Sequence, residues 1–474
     1  MTAIADRLAE LEQLGLTRRL RMVSGPQGPT VLLDGEPVLL LCSNNYLGLA
    51  DHPRVRQAAA DAAMRWGVGA GASRLVSGTM TIHRRLEERL AEFKRTEASL
   101  LFGSGYLANL GVIGSLAGPG ASVFSDELNH ASIVDGCRLS RADVIVYRHR
   151  DVEHLEWSLR RHPGRQDGRE GRLVVTDSVF SMDGDVAPLE EILEVARAHD
   201  ARLVVDEAHA TGSLGPGGRG AVAEAGLEGE IDVVIGTLGK ALGSYGAYAC
   251  ADAEMVRYLI NTARPMIFST APAPPAIAGA LAALELLESQ PQRVQRLRSN
   301  ASALRRALAA EGFPVADTEM QIVPLVVGEE RAAMRLCQAA IERGVFAQAI
   351  RPPTVPPGTS RLRLAAMASH TASELQMAAG VLGSAARELG LEPSAMAPPP
   401  AEQHPTPAER ETVPARGAIS ASVPFDVERE AGSASVPFDV ELAAASTSGP
   451  FDAERAASST SAPFDVERES VRAA

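Results

Sequence analysis

Six short apolar runs rich in β-branched residues recur between residues 98 and 240: ASLLFGSG, ASVFSDE, ADVIVYRH, RLVVTDSVFS, RLVVDEAH and DVVIGTLGK. Each ends in a polar or glycine-rich turn, and helical patterns lie between them. In TIHRRLEERLAEF, the apolar Ile82, Leu86, Leu90 and Phe93 stand four, four and three residues apart, which is one face of a helix. PLEEILEVARAH repeats that pattern. Alternation of this kind predicts an α/β fold with a large, mostly parallel sheet covered by helices on both faces. Ligands of such sheets bind beyond the carboxyl ends of the strands, so the residues that close each run are the candidates for chemistry.

A chain of 474 residues, 45% of them apolar, can bury a large core. No apolar run approaches the roughly 20 residues of a membrane span, and the N-terminal MTAIADRLAELEQLGL reads as an amphipathic helix rather than a secretion signal. Cys42, Cys137, Cys250 and Cys337 lie far apart without a CxxC pair. The expectation is a reduced, cytoplasmic protein with no disulfide framework and no metal site. A net charge of −13 argues against nucleic-acid binding.

The charge is uneven. Residues 391–474 hold 14 Asp/Glu against 6 Lys/Arg. There the sequence turns to Pro, Ala, Ser, Thr and Glu, and a PFDVE-like phrase recurs every 13 residues, at Pro424, Pro437, Pro450 and Pro463. Thirteen residues with one Phe and one Val cannot build a core, so residues 392–474 read as a disordered tail. The repeats are either a solvating extension or four copies of a docking motif for an unidentified partner, with Phe as anchor and acidic flanks. Before the tail, the expected units are an N-terminal arm (1–40), a large domain (41–288) and a small α+β domain (289–391) against which the arm packs.

The run RLVVDEAHATG ends in Asp206. A carboxylate at the mouth of a buried strand needs a cationic partner, and a protonated pyridine nitrogen is one. His209, three residues on, is placed to reach the oxygen substituent of the same ring. The letters Asp-Glu-Ala-His also spell a helicase box, but that reading needs GxxxxGK[ST], and Gly239–Lys240 is followed by Ala241. The next strand ends in Thr237-Leu-Gly-Lys240. A lysine at a desolvated strand mouth has a lowered pKa and forms imines readily. Only two lysines occur, Lys94 and Lys240, and Lys94 reads as the end of an amphipathic helix without such a site. FGSGYLAN runs from strand into helix through glycines, a geometry suited to cradling a phosphate. His130, in NHASIVDG, follows another strand and is placed to stack on a flat ligand, although a lone His in such a turn is more often structural.

These pieces resemble the α-oxoamine synthase family of fold-type I pyridoxal 5′-phosphate (PLP) enzymes, which join an amino acid to an acyl thioester with loss of carbon dioxide. The resemblance covers about residues 10–390 and rests on SNNYLGL, FGSGYLAN, NHASIVDG, TDSVFSMDGDVAPL, VVDEAHATGSLGPGGRG, GTLGKALGSYGAY and IFSTAPAP. It implies that Lys240 carries PLP and moves the α-proton. Asp206 would pair with the ring nitrogen, His209 and Ser181 contact the ring hydroxyl, and His130 stack on the ring. Gly105, Tyr106 and Thr237 would hold the phosphate, with Ser269 or Thr270 of a partner subunit in a homodimer. Asn44 would lie near the substrate and Arg361 would clamp the amino acid's carboxylate. The stretch IRPPTVPPGTSRLRL and the N-terminal GLTRRLR are similar to the branch that joins L-alanine to a pimeloyl thioester, on CoA or acyl carrier protein, in biotin synthesis; there Arg18 and Thr354 would meet the substrate. Two alternatives stand beside it: a sister enzyme using glycine or serine with another acyl-CoA, and a PLP-fold scaffold acting through its tail.

Overall fold

The computed structural model describes residues 3–162, 171–316 and 318–397. Near the N-terminus lie β1 (Val23–Ser24), β2 (Thr30–Leu33) and β3 (Glu36–Leu40). The large sheet follows: β4 (Ala98–Phe102), β5 (Ser122–Asp126), β6 (Asp143–Tyr147), β7 (Arg172–Asp177), β8 (Ala201–Asp206), β9 (Val233–Thr237) and β10 (Ala247–Ala251). Their order is β4-β10-β9-β8-β7-β5-β6. Strands β9, β8, β7, β5 and β6 pair in parallel, and β10 runs antiparallel to both of its neighbours. All six expected strands form. The seventh, β10, carries the small residues AYACA instead of a β-branched run.

Both faces of the sheet are buried, and alternate residues of each strand enter different cores. Leu101, Val174, Leu203, Val205 and Val234 pack with Leu86, Leu90 and Phe93 of helix Thr81–Lys94 and with helix Pro274–Ser289. Leu100, Phe102, Val123, Val175, Val204 and Ile235 pack with helices Gly105–Leu116, Ala131–Ser140 and Ala253–Thr262. With apolar contacts on either side, the polar strand ends have only the carboxyl-terminal rim on which to gather.

The small domain holds β11 (Ile322–Gly328), β12 (Val345–Phe346), β13 (Gln348–Ile350) and β14 (Ser360–Ala365), with an antiparallel sheet in the order β11-β14-β13. Strand β12 pairs in parallel with β3, and Val31, Leu33 and Leu39 share a core with Leu304, Leu336, Leu362, Leu364 and Leu382. Leu362 and Leu364 face the helices, so Arg361 and Arg363, which alternate with them, face the large sheet. The chain stays on the small domain to Ala397, which bridges Val326 after a 3₁₀ turn at Pro393–Ala395. The four repeats lie outside the described residues.

Candidate active site

Strands β7, β8 and β9 bring their polar ends to one rim, with Asp177 and Asp206 side by side in register. Lys240, in the turn after β9, places Nζ 2.8 Å from His209 Nε2. Burial lowers the Lys240 ammonium pKa to about 8; Asp206 and Asp177 oppose the shift and Arg363 adds to it. Burial, then the charges of Lys240 and Arg363, hold His209 well below its ordinary value, so its ring is neutral. One tautomer satisfies every partner. Lys240 donates to Nε2, and Nδ1–H donates to Tyr46 Oη at 2.7 Å. The Tyr46 hydroxyl donates to Asn44 Oδ1 at 2.9 Å. Arg363 closes the chain, donating from Nη2 to Tyr46 Oη at 3.3 Å, from Nη1 to Asn44 Oδ1 at 3.2 Å, and from Nε to the Ser181 carbonyl.

The other lysine is occupied. Lys94 is buried, and its three protons go to Glu207, to Thr211 Oγ1 at 2.9 Å and to the Arg219 carbonyl. Burial opposes its charge, but Glu207 outweighs that and raises the pKa. Lys94, the last residue of its helix, is therefore a structural cation, and Lys240 is the lysine with an available amine.

Asp206 is buried, its Oδ1 accepting the Ala208 N–H and its Oδ2 the Asn109 side-chain amide, both at 2.7 Å. Asp177 accepts the His130 backbone N–H at 2.7 Å; burial first, then Asp206, pushes its pKa well above the usual carboxylate range. Asn109 Oδ1 is buried without a hydrogen-bond partner. Two carboxyl groups thus meet at adjacent strand ends, served by neutral donors, a donor set that fits a cationic ring nitrogen.

The phosphate-binding expectation falls on one corner. Ser104 caps helix Gly105–Leu116 by accepting the Leu107 N–H, which leaves the N–H groups of Gly105 and Tyr106 at the open helix end. Thr237 is adjacent, since a Cβ on Gly105 would sit 3.9 Å from its Cβ. Thr237 Oγ1 donates to the Gly246 carbonyl and accepts the Gly239 N–H. His130 caps the next helix with an exposed ring, its Nδ1 2.7 Å from Ser132 Oγ.

The two arginines of β14 have different partners. Arg361 is buried against Asp183 and donates from Nε to the Thr359 carbonyl, so it does not join the Lys240 network; Arg363 does. Period-two alternation puts both arginines on one face, and the sequence pattern cannot choose between them. Ser181 contributes its carbonyl through Arg363. Ser269 Oγ donates to the Pro265 carbonyl, and Thr270 bridges Ser73. Arg18 and Thr354 are exposed; they lie on the arm and the turn that Arg351 ties together through the Gly15 and Thr17 carbonyls. Tyr46, Asn109, Asp177 and Arg363 were not singled out from sequence. Asp177 was accessible, because it closes RLVVTD by the same rule that selects Asp206. Among the described residues, no group of three or more His, Cys, Asp or Glu is arranged to hold a metal ion.

Comparison with known proteins places the chain in a family. The Aminotransferase class I and II family matches residues 36–382. An 8-amino-7-oxononanoate synthase from Citrifermentans bemidjiense is 50% identical over 384 residues, 81% of this chain and 97% of that protein. One from Geobacter sulfurreducens is 52% identical over 382 residues, 80% and 97% of the two chains. A serine palmitoyltransferase from S. paucimobilis, solved with a bound PLP–myriocin aldimine, has a TM-score of 0.77 at 35% identity, covering 82% of this chain and 97% of that one. An 8-amino-7-oxononanoate synthase from Francisella tularensis has a TM-score of 0.63 at 26% identity, covering 74% and 99%. With a family model over most of its length and relatives about half identical to it, the chain belongs to the aminotransferase class I and II family, among the α-oxoamine synthases.

Proposed function

We propose that the protein condenses L-alanine with a pimeloyl thioester, carried on CoA or acyl carrier protein, to give 8-amino-7-oxononanoate, carbon dioxide and free thiol in biotin synthesis. The observation that carries the reading is the bonded chain Lys240–His209–Tyr46–Asn44–Arg363, which links an available amine to a buried guanidinium. Among the described residues no carboxylate pairs with Arg363.

Pyridoxal phosphate, when bound, supplies an electron sink for the carbanion at the amino acid's α-carbon. Asp206 would hold the ring nitrogen, the open end of helix Gly105–Leu116 and Thr237 would hold the phosphate, and His130 would cover the ring. Arg363 takes the alanine carboxylate as a bidentate guanidinium partner, which orients the Cα–H bond. Lys240, with a pKa near 8, accepts that proton and later returns one. His209 keeps the Lys240 amine pointed into the site. The α-carbon attacks the thioester carbonyl, the thiol leaves, and carbon dioxide departs from the carboxylate that Arg363 held. Arg18, beside Arg351 on the arm, and Thr354 receive the far carboxylate of the pimeloyl chain.

We place the protein in the cytoplasm, in keeping with four free thiols, and as a homodimer with shared sites. Leu75, Val76 and Phe268 are exposed on two segments joined by the Ser73–Thr270 bridge, an apolar face suited to a second copy. The likeness to a serine palmitoyltransferase favours one second reading, serine with a longer acyl-CoA. The test supplies alanine, glycine and serine separately, each with pimeloyl and palmitoyl thioesters, and follows thiol release. Alanine with pimeloyl is expected to dominate; a preference for serine and palmitoyl-CoA overturns the assignment. Deleting residues 398–474 is expected to leave turnover unchanged, and loss of turnover would instead favour a tail-dependent role.

A further inference from the structure

The turn 180–185, between β7 and helix Leu189–Ala198, touches both domains. It is closed by the Val179–Val186 bridge, by the Phe180 N–H on the Asp185 carbonyl at 3.0 Å, and by the Gly184 N–H on the Phe180 carbonyl at 2.8 Å. Gly184 has φ +74°, and a Cβ there would meet the Ile322 carbonyl oxygen of β11 at 2.8 Å, so the turn is pressed onto the small domain.

On the large-domain side, His149 is held between two carboxylates. Its Nδ1 lies 2.9 Å from Asp126 Oδ1 and its Nε2 2.7 Å from Asp185 Oδ2. Its ring stands edge-on to Phe180, 4.3 Å between centroids. Asp126 closes β5 and also accepts the Arg150 N–H at 2.8 Å. The turn is thereby clamped to the sheet rim. On the small-domain side the same turn meets both arginines of β14, Asp183 taking the Arg361 guanidinium and the Ser181 carbonyl taking Arg363 Nε.

The two arginines differ in one respect. Arg361 has its charge cancelled by the half-buried carboxylate of Asp183, whereas the partners of Arg363 are a carbonyl, an amide oxygen and a hydroxyl, all neutral. We propose that Asp183 and Arg361 are positioning residues whose ion pair locks β14 against the clamped turn, leaving Arg363 as the β14 guanidinium open to the amino acid's carboxylate. This rests on the reading that Arg363 binds the amino acid's carboxylate. Removing the pair has two effects. It loosens the register of β14, and with Asp183 neutral it leaves a second uncancelled guanidinium two residues from the first, competing for the same carboxylate in the wrong place.

The experiment titrates the PLP-loaded enzyme with L-alanine, following the visible absorbance of the bound cofactor, and measures KM and kcat with pimeloyl-CoA. Asp183→Asn and Arg361→Met are each expected to raise the alanine Kd and KM on the order of tenfold, with kcat within about threefold and the alanine-free spectrum unchanged. Arg361→Lys, which keeps the charge opposite Asp183, is expected to recover part of the loss, and the double variant to be no worse than the poorer single one, as residues acting as a unit behave. Should Arg361→Met fail to fold, Asp183→Asn, which leaves the arginine in place, decides alone. Arg363→Met separates the two claims. If it leaves alanine binding intact, the carboxylate reading fails. If it abolishes binding while Asp183→Asn leaves Kd and KM unmoved, the positioning inference alone is overturned. Loss of alanine binding in Arg361→Met as complete as in Arg363→Met would make Arg361 a direct contact and also overturn it.

Discussion

Lys240 Nζ lies 2.8 Å from His209 Nε2, so the Lys240 amine is bonded to a neutral imidazole rather than to a carboxylate. Pairing with a carboxylate would keep it protonated; pairing with the ring leaves burial as the dominant influence, and the pKa falls to about 8. Cofactor-free protein mixed with PLP is expected to develop its visible absorbance faster as pH rises, levelling off above about pH 8. An ordinary lysine, with a pKa near 10.4, would still be accelerating at pH 9.5, and that outcome would remove the amine's special environment from the account.

Tyr46 is fully buried and its hydroxyl serves three neighbours, His209, Asn44 and Arg363. Tyr46→Phe keeps the ring and removes the shared oxygen, leaving the His209 Nδ1–H without its acceptor. An unsatisfied buried polar group costs about 1–3 kcal/mol, so kcat/KM for alanine is expected to fall about tenfold to a hundredfold with cofactor loading retained. Steady-state kinetics beside an absorbance spectrum of each variant check both halves.

Much of the fold was legible in the sequence because a parallel sheet buried on both faces leaves continuous β-branched runs. Asp206 and Lys240 were legible for the same reason, each closing such a run. Strand β10 was not, since AYACA carries small residues whose place is fixed by its neighbours β4 and β9. Asn109 sits inside a helix, and its tie to Asp206 spans 97 residues, which no local pattern encodes. Arg361 and Arg363 share a face by strand periodicity, so only Asp183, brought in from residue 183 by the fold, separates the paired guanidinium from the other one. The partner of Lys94 was not legible for a related reason. Its helix carries an apolar stripe that ends in charge, and the buried carboxylate it meets comes from a residue 113 positions away.

That pair supports the site from behind. Glu207 follows Asp206 directly, and beyond Lys94 it accepts the Val222 N–H at 2.7 Å. Lys94→Met would leave a buried carboxylate without its cation, a loss of about 3–5 kcal/mol in comparable cases. The expected result is a clearly lower denaturation midpoint, partly restored by Lys94→Met with Glu207→Gln, while the visible absorbance of PLP-loaded protein persists at low temperature. Loss of that absorbance in folded Lys94→Met protein would contradict the assignment of the cofactor to Lys240.

His149 gives the structure a pH dependence of definite sign. Burial opposes its charge, but the flanking carboxylates of Asp126 and Asp185 outweigh it and lift its pKa to about 10, against about 6.5 in an unfolded chain. Below about pH 6.5 both states hold the proton and the clamp contributes in full. Between about 6.5 and 10 the unfolded chain releases the proton while the folded protein keeps it, so this contribution declines as pH rises and is lost above 10. Arg150, with its N–H on Asp126 and its guanidinium 3.5 Å from Asp185, and Asp183 nearby share the same field without reversing that sign. Urea midpoints measured from pH 6 to pH 10 are expected to fall more steeply for the native chain than for His149→Gln, whose side chain cannot titrate. Equal slopes in the two proteins would mean that His149 is not held as an imidazolium between its two carboxylates.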